Sequence, residues 1–171
     1  MRVLISEEEL QAKIDELGAA ISADYKGTRP VLICVLKGAV FFIADLARRL
    51  PFDLEIEFMA VSSYGASTES SGVVRILKDL DTDIEGRHVL IVEDIIDSGQ
   101  TLEYLMRSLR ARNPASLEIA TLLSKPGRRT AQLDCRYTGF EIPNEFAVGY
   151  GLDHAETYRN LPYIGVIDDP V

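Results

Sequence analysis

The chain has 171 residues, with 18 Lys and Arg against 27 Asp and Glu, a formal net charge of −9. That balance argues against wrapping a nucleic-acid backbone, which calls for a basic surplus. Apolar residues make up 47%, no apolar run reaches the ~18–20 residues of a membrane span, and no secretory core follows Met1, so a cytoplasmic, single-domain protein over 1–171 is expected, with neither membrane nor nucleic acid as partner.

In chain order, Ser6 and Glu9 have capping-box spacing. Leu10, Ile14, Leu17 and Ile21 follow at helical intervals, and Gly27 and Pro30 mark the end of that helix. Val31–Leu36 is an unbroken, β-branched apolar run, the pattern of a strand buried on both faces, and Cys34 within it reads as a small core residue. After Lys37-Gly38 the helical character resumes over Ala39–Leu50. Leu54, Ile56 and Phe58 alternate with Asp53, Glu55 and Glu57, predicting a strand with its acids in water. The polar stretch from Ser62 to Gly72 reads as a loop, with a returning strand at Val73–Leu77.

His88–Val92 predicts another buried strand, and Gln100–Arg112 a helix with Leu102, Leu105, Met106 and Leu109 on one face. Arg107, Arg110 and Arg112 favour its negative end, and Asn113-Pro114 stops it. Further strands are expected at Leu117–Leu123, Phe140–Ile142, Phe146–Tyr150 and Tyr163–Ile167. Strands alternating with helices imply an α/β fold, a doubly wound, mainly parallel sheet flanked by helices. Ligands of such sheets gather past the carboxyl ends of the strands, here after Leu36, Val92, Leu123 and Tyr150.

The stretch Val89–Leu102 reads VLIVEDIIDSGQTL. An apolar strand runs into Glu93 and Asp94, and Asp97-Ser98-Gly99-Gln100-Thr101 then leads into a helix. The first amides of a helix lack internal partners and face the positive dipole end, so such a turn suits a phosphate. Gly99 permits close backbone approach, and Ser98 and Thr101 add hydroxyl donors. The acids fit a ligand that also brings sugar hydroxyls or a divalent cation. Spacing alone leaves open that Glu93, Asp94 and Asp97 are ordinary loop and capping acids.

VEDIIDSGQTL resembles the phosphoribosyl-pyrophosphate motif of type I phosphoribosyltransferases, in its acid pair, two apolar residues, Asp-Ser-Gly and Thr101. Nearly the whole chain is similar to the hypoxanthine-guanine branch of that family. The resemblance implies the type I fold with a small hood of terminal segments, Mg2+ as cofactor, 6-oxopurine and phosphoribosyl pyrophosphate as substrates, and a homodimer or homotetramer. It implies that Glu93 and Asp94 bind the ribose and the metal, that Asp97 to Thr101, Gln100 included, bind the 5′-phosphate, and that Asp97 exchanges a proton with purine N7. Many relatives carry Lys at the position of Gln100.

Other segments carry the resemblance further. Leu36-Lys37-Gly38 is similar to the pyrophosphate loop, whose peptide before Lys37 is often cis in the family. Ser63 and Tyr64 match the Ser-Tyr pair of a flexible loop that closes over the reacting centre. LLSKPGRR places Lys125 where an ammonium donates to the purine 6-oxo group, a contact that adenine's amino group does not accept. In the segment Phe140–Asn160, Phe146 matches the stacking aromatic and Ala147 the residue whose backbone reads the base. Asp153 there matches an acid at the purine end and a second magnesium, and Arg159 a pyrophosphate ligand. His154 has no role in the pattern. A xanthine-preferring enzyme and a non-catalytic nucleotide-sensing regulator remain as alternatives.

Overall fold

A computed structural model describes residues 1–63 and 74–170 of the chain. Hidden alternation in the apolar runs organises the main sheet. In β2 (Val31–Leu36) and β5 (His88–Ile96), Leu32, Cys34, Leu90 and Val92 face one side. Val31, Ile33, Val35, Val89 and Ile91 face the other. With apolar residues at every position, both faces take a helical layer. α1 (Glu7–Asp24) and α2 (Val40–Ala47) cover the first face, where Leu10, Ile14, Ile21, Phe42 and Leu46 are fully buried. α3 (Gln100–Arg110) covers the second with Leu102, Leu105, Met106 and Leu109. α1 starts on the expected capping box, Ser6 Oγ accepting from the Glu9 amide and Glu9 Oε2 accepting from the Ser6 amide.

The remaining strands are β1 (Arg2–Ile5), β3 (Glu55–Ser63), β4 (Val74–Lys78), β6 (Ser116–Ser124), β7 (Tyr137–Glu141), β8 (Ala147–Val148) and β9 (Ile164–Val166). The six-stranded sheet has the order β4-β3-β2-β5-β6-β7, parallel except for the edge hairpin partner β4. From β2 the chain moves outward to β3, and from β5 it moves the opposite way to β6. The crevice between β2 and β5 is therefore the topological switch point. β2 and β5 stay paired only to Cys34 and Val92, so β5 runs on beside β6 alone through Glu93–Ile96. A second sheet, β1-β9-β8, is antiparallel and joins both terminal segments into the expected hood.

Several sequence expectations are corrected. The strand expected to end at Val92 continues to Ile96, so Glu93 and Asp94 lie within β5. Pairing to β6 keeps this backbone extended after the apolar pattern has stopped. The strand expected at Phe140–Ile142 is Tyr137–Glu141, and Phe146–Tyr150 shrinks to Ala147–Val148. Tyr150 has φ 49 and lies in a turn of the hood, so it is no strand terminus of the main sheet. β1 was not foreseen, because four residues of an edge strand carry too little pattern.

The wet face assigned to β3 is reversed. Glu57 is buried and accepts from Thr82 Oγ1 at 2.8 Å, whereas Ile56 and Phe58 are exposed. Met59, on the side of Glu57, joins the core beneath α3, and that packing sets which residues turn inward. Cys34 and Cys135 are free thiols, and burial pushes Cys34 up to about 12. Among the described residues no helix is long and apolar enough to cross a membrane.

Candidate active site

Past the crevice, three loops meet β5. The first follows β2, where the Leu36-Lys37 peptide is cis. Gly38 packs so closely on Asp94 that a Cβ there would lie 1.6 Å from Asp94 Oδ2. The second comes from the hood, where Gly151, at φ +100, would bring a Cβ within 2.0 Å of the Gly38 carbonyl oxygen. Only glycine allows both the backbone conformation and the approach. Neither glycine is close to the other in sequence, so their pairing was not legible there.

The third loop follows β5 itself. Gly99, at φ 83, is the N-cap of α3 and offers no side chain to cap it, so the helix start stays open. Ser98 is pinned from behind, its carbonyl accepting from the amides of Thr130 and Ala131 at 3.0 and 3.1 Å. Ser98 Oγ accepts from the Gln100 amide at 3.4 Å, and Gln100 Nε2 reaches Thr130 Oγ1 at 3.2 Å. In front lies a hollow of about 140 Å³ walled by Glu93, Asp97, Ser98, Gly99 and Thr101. Amides, hydroxyls and a helix dipole around such a volume suit a phosphate monoester.

Glu93 and Asp94 sit at the back of the crevice. Burial, and then the neighbouring charge of Asp94, push the Glu93 carboxyl well above the usual range. Burial raises Asp94 as well, against the amide of Ile95, which donates to Oδ1 at 2.6 Å. Two adjacent carboxylates held this way gain from a cation or from sugar hydroxyls that donate to them. Among the described residues no group of three or more His, Cys, Asp or Glu side chains gathers to hold a metal. Asp153, matched above to an acid at the purine end and a second magnesium, lies 3.2 Å from Arg159 Nη2 and accepts from the Glu156 amide at 2.8 Å.

A larger cavity of about 530 Å³ opens on the other side of Asp97, lined by Asp97, Lys125, Arg128, Phe146, Val166 and Ile167 among others. Lys125 follows β6, is buried, and its Nζ stands 3.6 Å from Asp97 Oδ2. Phe146 leaves a partly exposed ring at the mouth, braced edge-on by His154 with centroids 5.3 Å apart. Ala147 is in β8 opposite Val166, whose side chain lines the cavity. Asp97 therefore borders both hollows, the small one and the large one.

Lys37 and Arg159 come together at the hood end of the crevice through Glu156. Lys37 Nζ is 3.0 Å from Glu156 Oε2, and Arg159 Nη2 is 3.0 Å from Glu156 Oε1. Arg159 Nη1 donates to the Gly151 carbonyl at 2.7 Å, while its Nε is buried with no partner among the described residues. Ser63 ends β3, and nothing is described of its side chain; Tyr64 lies outside the described residues.

Four residues were missed in the sequence. Arg128 Nε donates to Asp97 Oδ1 at 3.0 Å, Glu156 bridges two cations, His154 braces Phe146, and Gly151 meets Gly38. Only Arg128 carried a signal, as the neighbour of Lys125 in a basic turn.

Comparison with known proteins bears on the whole chain. Residues 6–155 match the family model of the phosphoribosyl transferase domain. A hypoxanthine-guanine phosphoribosyltransferase of Mycobacterium avium is 58% identical over 99% of this chain and 86% of its own length. One of Bacillus subtilis is 57% identical over 99% of this chain and 94% of its own. A crystal structure of a hypoxanthine phosphoribosyltransferase from Staphylococcus aureus superposes with a TM-score of 0.95 at 50% identity, covering 98% of this chain and 91% of that one.

Proposed function

The chain belongs to the phosphoribosyltransferase family, and on that premise we propose that its crevice joins hypoxanthine or guanine to phosphoribosyl pyrophosphate, releasing IMP or GMP and pyrophosphate in purine salvage. The carrying observation is that Asp97 borders both the small hollow at the α3 start and the large cavity of Lys125 and Phe146. A 5′-phosphate in the first and a purine in the second leave the ribose between them, over Glu93 and Asp94.

Each residue then has a physical task. The buried Lys125 ammonium donates to the 6-oxo group, and the Phe146 ring stacks on the base, a contact worth ~1–3 kcal/mol in comparable aromatic sites. Glu93 and Asp94 accept from the ribose hydroxyls, and their charge favours a sugar with oxocarbenium character. Asp97 exchanges a proton with purine N7 as the bond to the anomeric carbon forms. Lys37 and Arg159 hold the departing pyrophosphate, with planar guanidinium donors matched to phosphate oxygens.

Magnesium fits this crevice. The ion takes one or two carboxylates and fills its remaining positions with water and substrate oxygens, and Glu93 and Asp94 supply the carboxylates. When bound, it neutralises charge on the pyrophosphate leaving group. Asp153 would serve a second ion only by exchanging its contact with Arg159.

The relatives' names favour hypoxanthine and guanine, and no observation favours a xanthine-preferring enzyme or a nucleotide sensor. The absence of a membrane-crossing helix among the described residues is compatible with a cytoplasmic setting. Exposed Ile56 and Phe58 on the α2 side of the sheet, with exposed Val40 and Phe41 of α2, offer apolar surface suited to a second copy of the chain.

The test supplies purified protein, magnesium and phosphoribosyl pyrophosphate with each purine in turn. IMP and GMP should form readily, adenine should not react, and xanthine should lag behind. Absence of IMP and GMP would sink the reading.

A further inference from the structure

Glu156 occupies the ground between two cations that the proposed function assigns to pyrophosphate. Each oxygen of its carboxylate meets a different one, Lys37 Nζ at 3.0 Å and Arg159 Nη2 at 3.0 Å. Lys37 and Glu156 are 119 residues apart in sequence, so the bridge is a product of the fold. The turn that presents Glu156 is also held by backbone bonds of its own. Its amide donates to Asp153 Oδ2, and His154 and Thr157 exchange two backbone bonds of 3.1 and 3.0 Å around it. Ala155, Glu156 and Tyr158 all take positive φ, at 49, 64 and 81°, a conformation rarely adopted by side-chain-bearing residues. Hydrogen bonds from Lys37 and Arg159 hold the Glu156 carboxyl below its usual range, so it stays an anion.

A carboxylate spanning two cations has the charge sign and donor requirements of the pyrophosphate that those cations would bind. We infer that Glu156 is the resident counter-ion of the pyrophosphate site, displaced when pyrophosphate enters and returning as it leaves. The inference rests on the assignment of Lys37 and Arg159 to pyrophosphate. With Asp153 also on Arg159, the empty cluster is already balanced, two cations against two anions. Pyrophosphate therefore exchanges for an internal anion, which limits affinity and assists product release. Glu156 is exposed on the crevice wall, with 63% of its side chain accessible, so the carboxylate has room to swing aside.

Titration calorimetry with magnesium pyrophosphate separates the outcomes. Wild-type binding tests the assignment of Lys37 and Arg159, and no binding would overturn both that assignment and this inference. Given wild-type binding, Glu156→Gln should tighten it about three- to tenfold, the range expected for releasing two exposed ion pairs. Pyrophosphate should also become a stronger product inhibitor and dissociate more slowly. Glu16→Gln, on the far surface of α1, removes the same unit of charge and should leave affinity unchanged. Equal tightening in both variants would reduce the effect to net charge and overturn the inference. Unchanged or weaker binding in a Glu156→Gln protein with wild-type melting temperature would overturn it too, and weaker binding would make Glu156 a brace for Arg159.

Discussion

Asp97 meets two cations before any substrate arrives, with Arg128 Nε at 3.0 Å and Lys125 Nζ at 3.6 Å. Each carboxylate oxygen of Asp97 already has a cationic partner, so purine N7 must compete with Arg128 and Lys125 for it. Asp97→Asn keeps the shape and loses the basicity, so turnover should fall about 10²–10⁴-fold, the range for a lost general acid–base group. Binding of phosphoribosyl pyrophosphate should change little; undiminished turnover would remove Asp97 from the chemistry. Lys125→Ala empties the donor position proposed to meet the 6-oxo group. Its kcat/KM for hypoxanthine should drop by about tenfold or more, as for a charged hydrogen bond worth ~1.5–3 kcal/mol. Discrimination against adenine should narrow, and preserved discrimination would refute the task. The type of both residues was readable from the sequence, through motif resemblance. The partners Arg128 and Glu156 were not, because a salt bridge is a fact of spatial proximity that residue type leaves undetermined.

At the scale of elements, α3 and the central strands were legible because burial on a fixed face imposes a period on the sequence. β3 was misread for the same reason. Its alternation was genuine, but Met59 and the Thr82 bond to Glu57 decided which set turned inward. The hood loop was the least legible part, since its geometry hangs on contacts distant in the chain. One anchor is Asp45 of α2, which accepts from the hydroxyl of Tyr150 and from Arg48 Nη2 at 2.7 Å. Burial alone would raise the Asp45 carboxyl, but hydrogen bonds from Tyr150, Arg48 and Gln11 outweigh it and hold it below the usual range. A group depressed on folding stabilises the native state above the ordinary carboxylate range and loses that contribution as pH falls through its folded value. Asp45→Asn should therefore cost about 1–2 kcal/mol near neutrality. The gap to wild type should close in acid below the carboxylate range. Denaturant melts across pH check both statements, and a gap that widened in acid would contradict the assignment.

For the whole molecule, Ile56 and Phe58 are large, apolar and exposed on the same face of β3, next to the sheet edge. If a second copy covers them, Phe58→Asp should shift the light-scattering mass from oligomer to monomer while the isolated chain keeps its fold. A wild-type chain that is already monomeric at micromolar concentration would dismiss the surface as an interface. The hood has a different bearing on the molecule. β9 pairs with β1 along Arg2–Ile5 and with β8 at Ala147–Val148, and Val166 of β9 lines the cavity opposite Lys125. Synthesis makes Arg2 well before Val166, and every strand of the main sheet lies between them in the chain. The nascent polypeptide can thus lay down its large parallel sheet and the turn before α3 first, yet the cavity beside Lys125 lacks its Val166 wall until β9 has emerged.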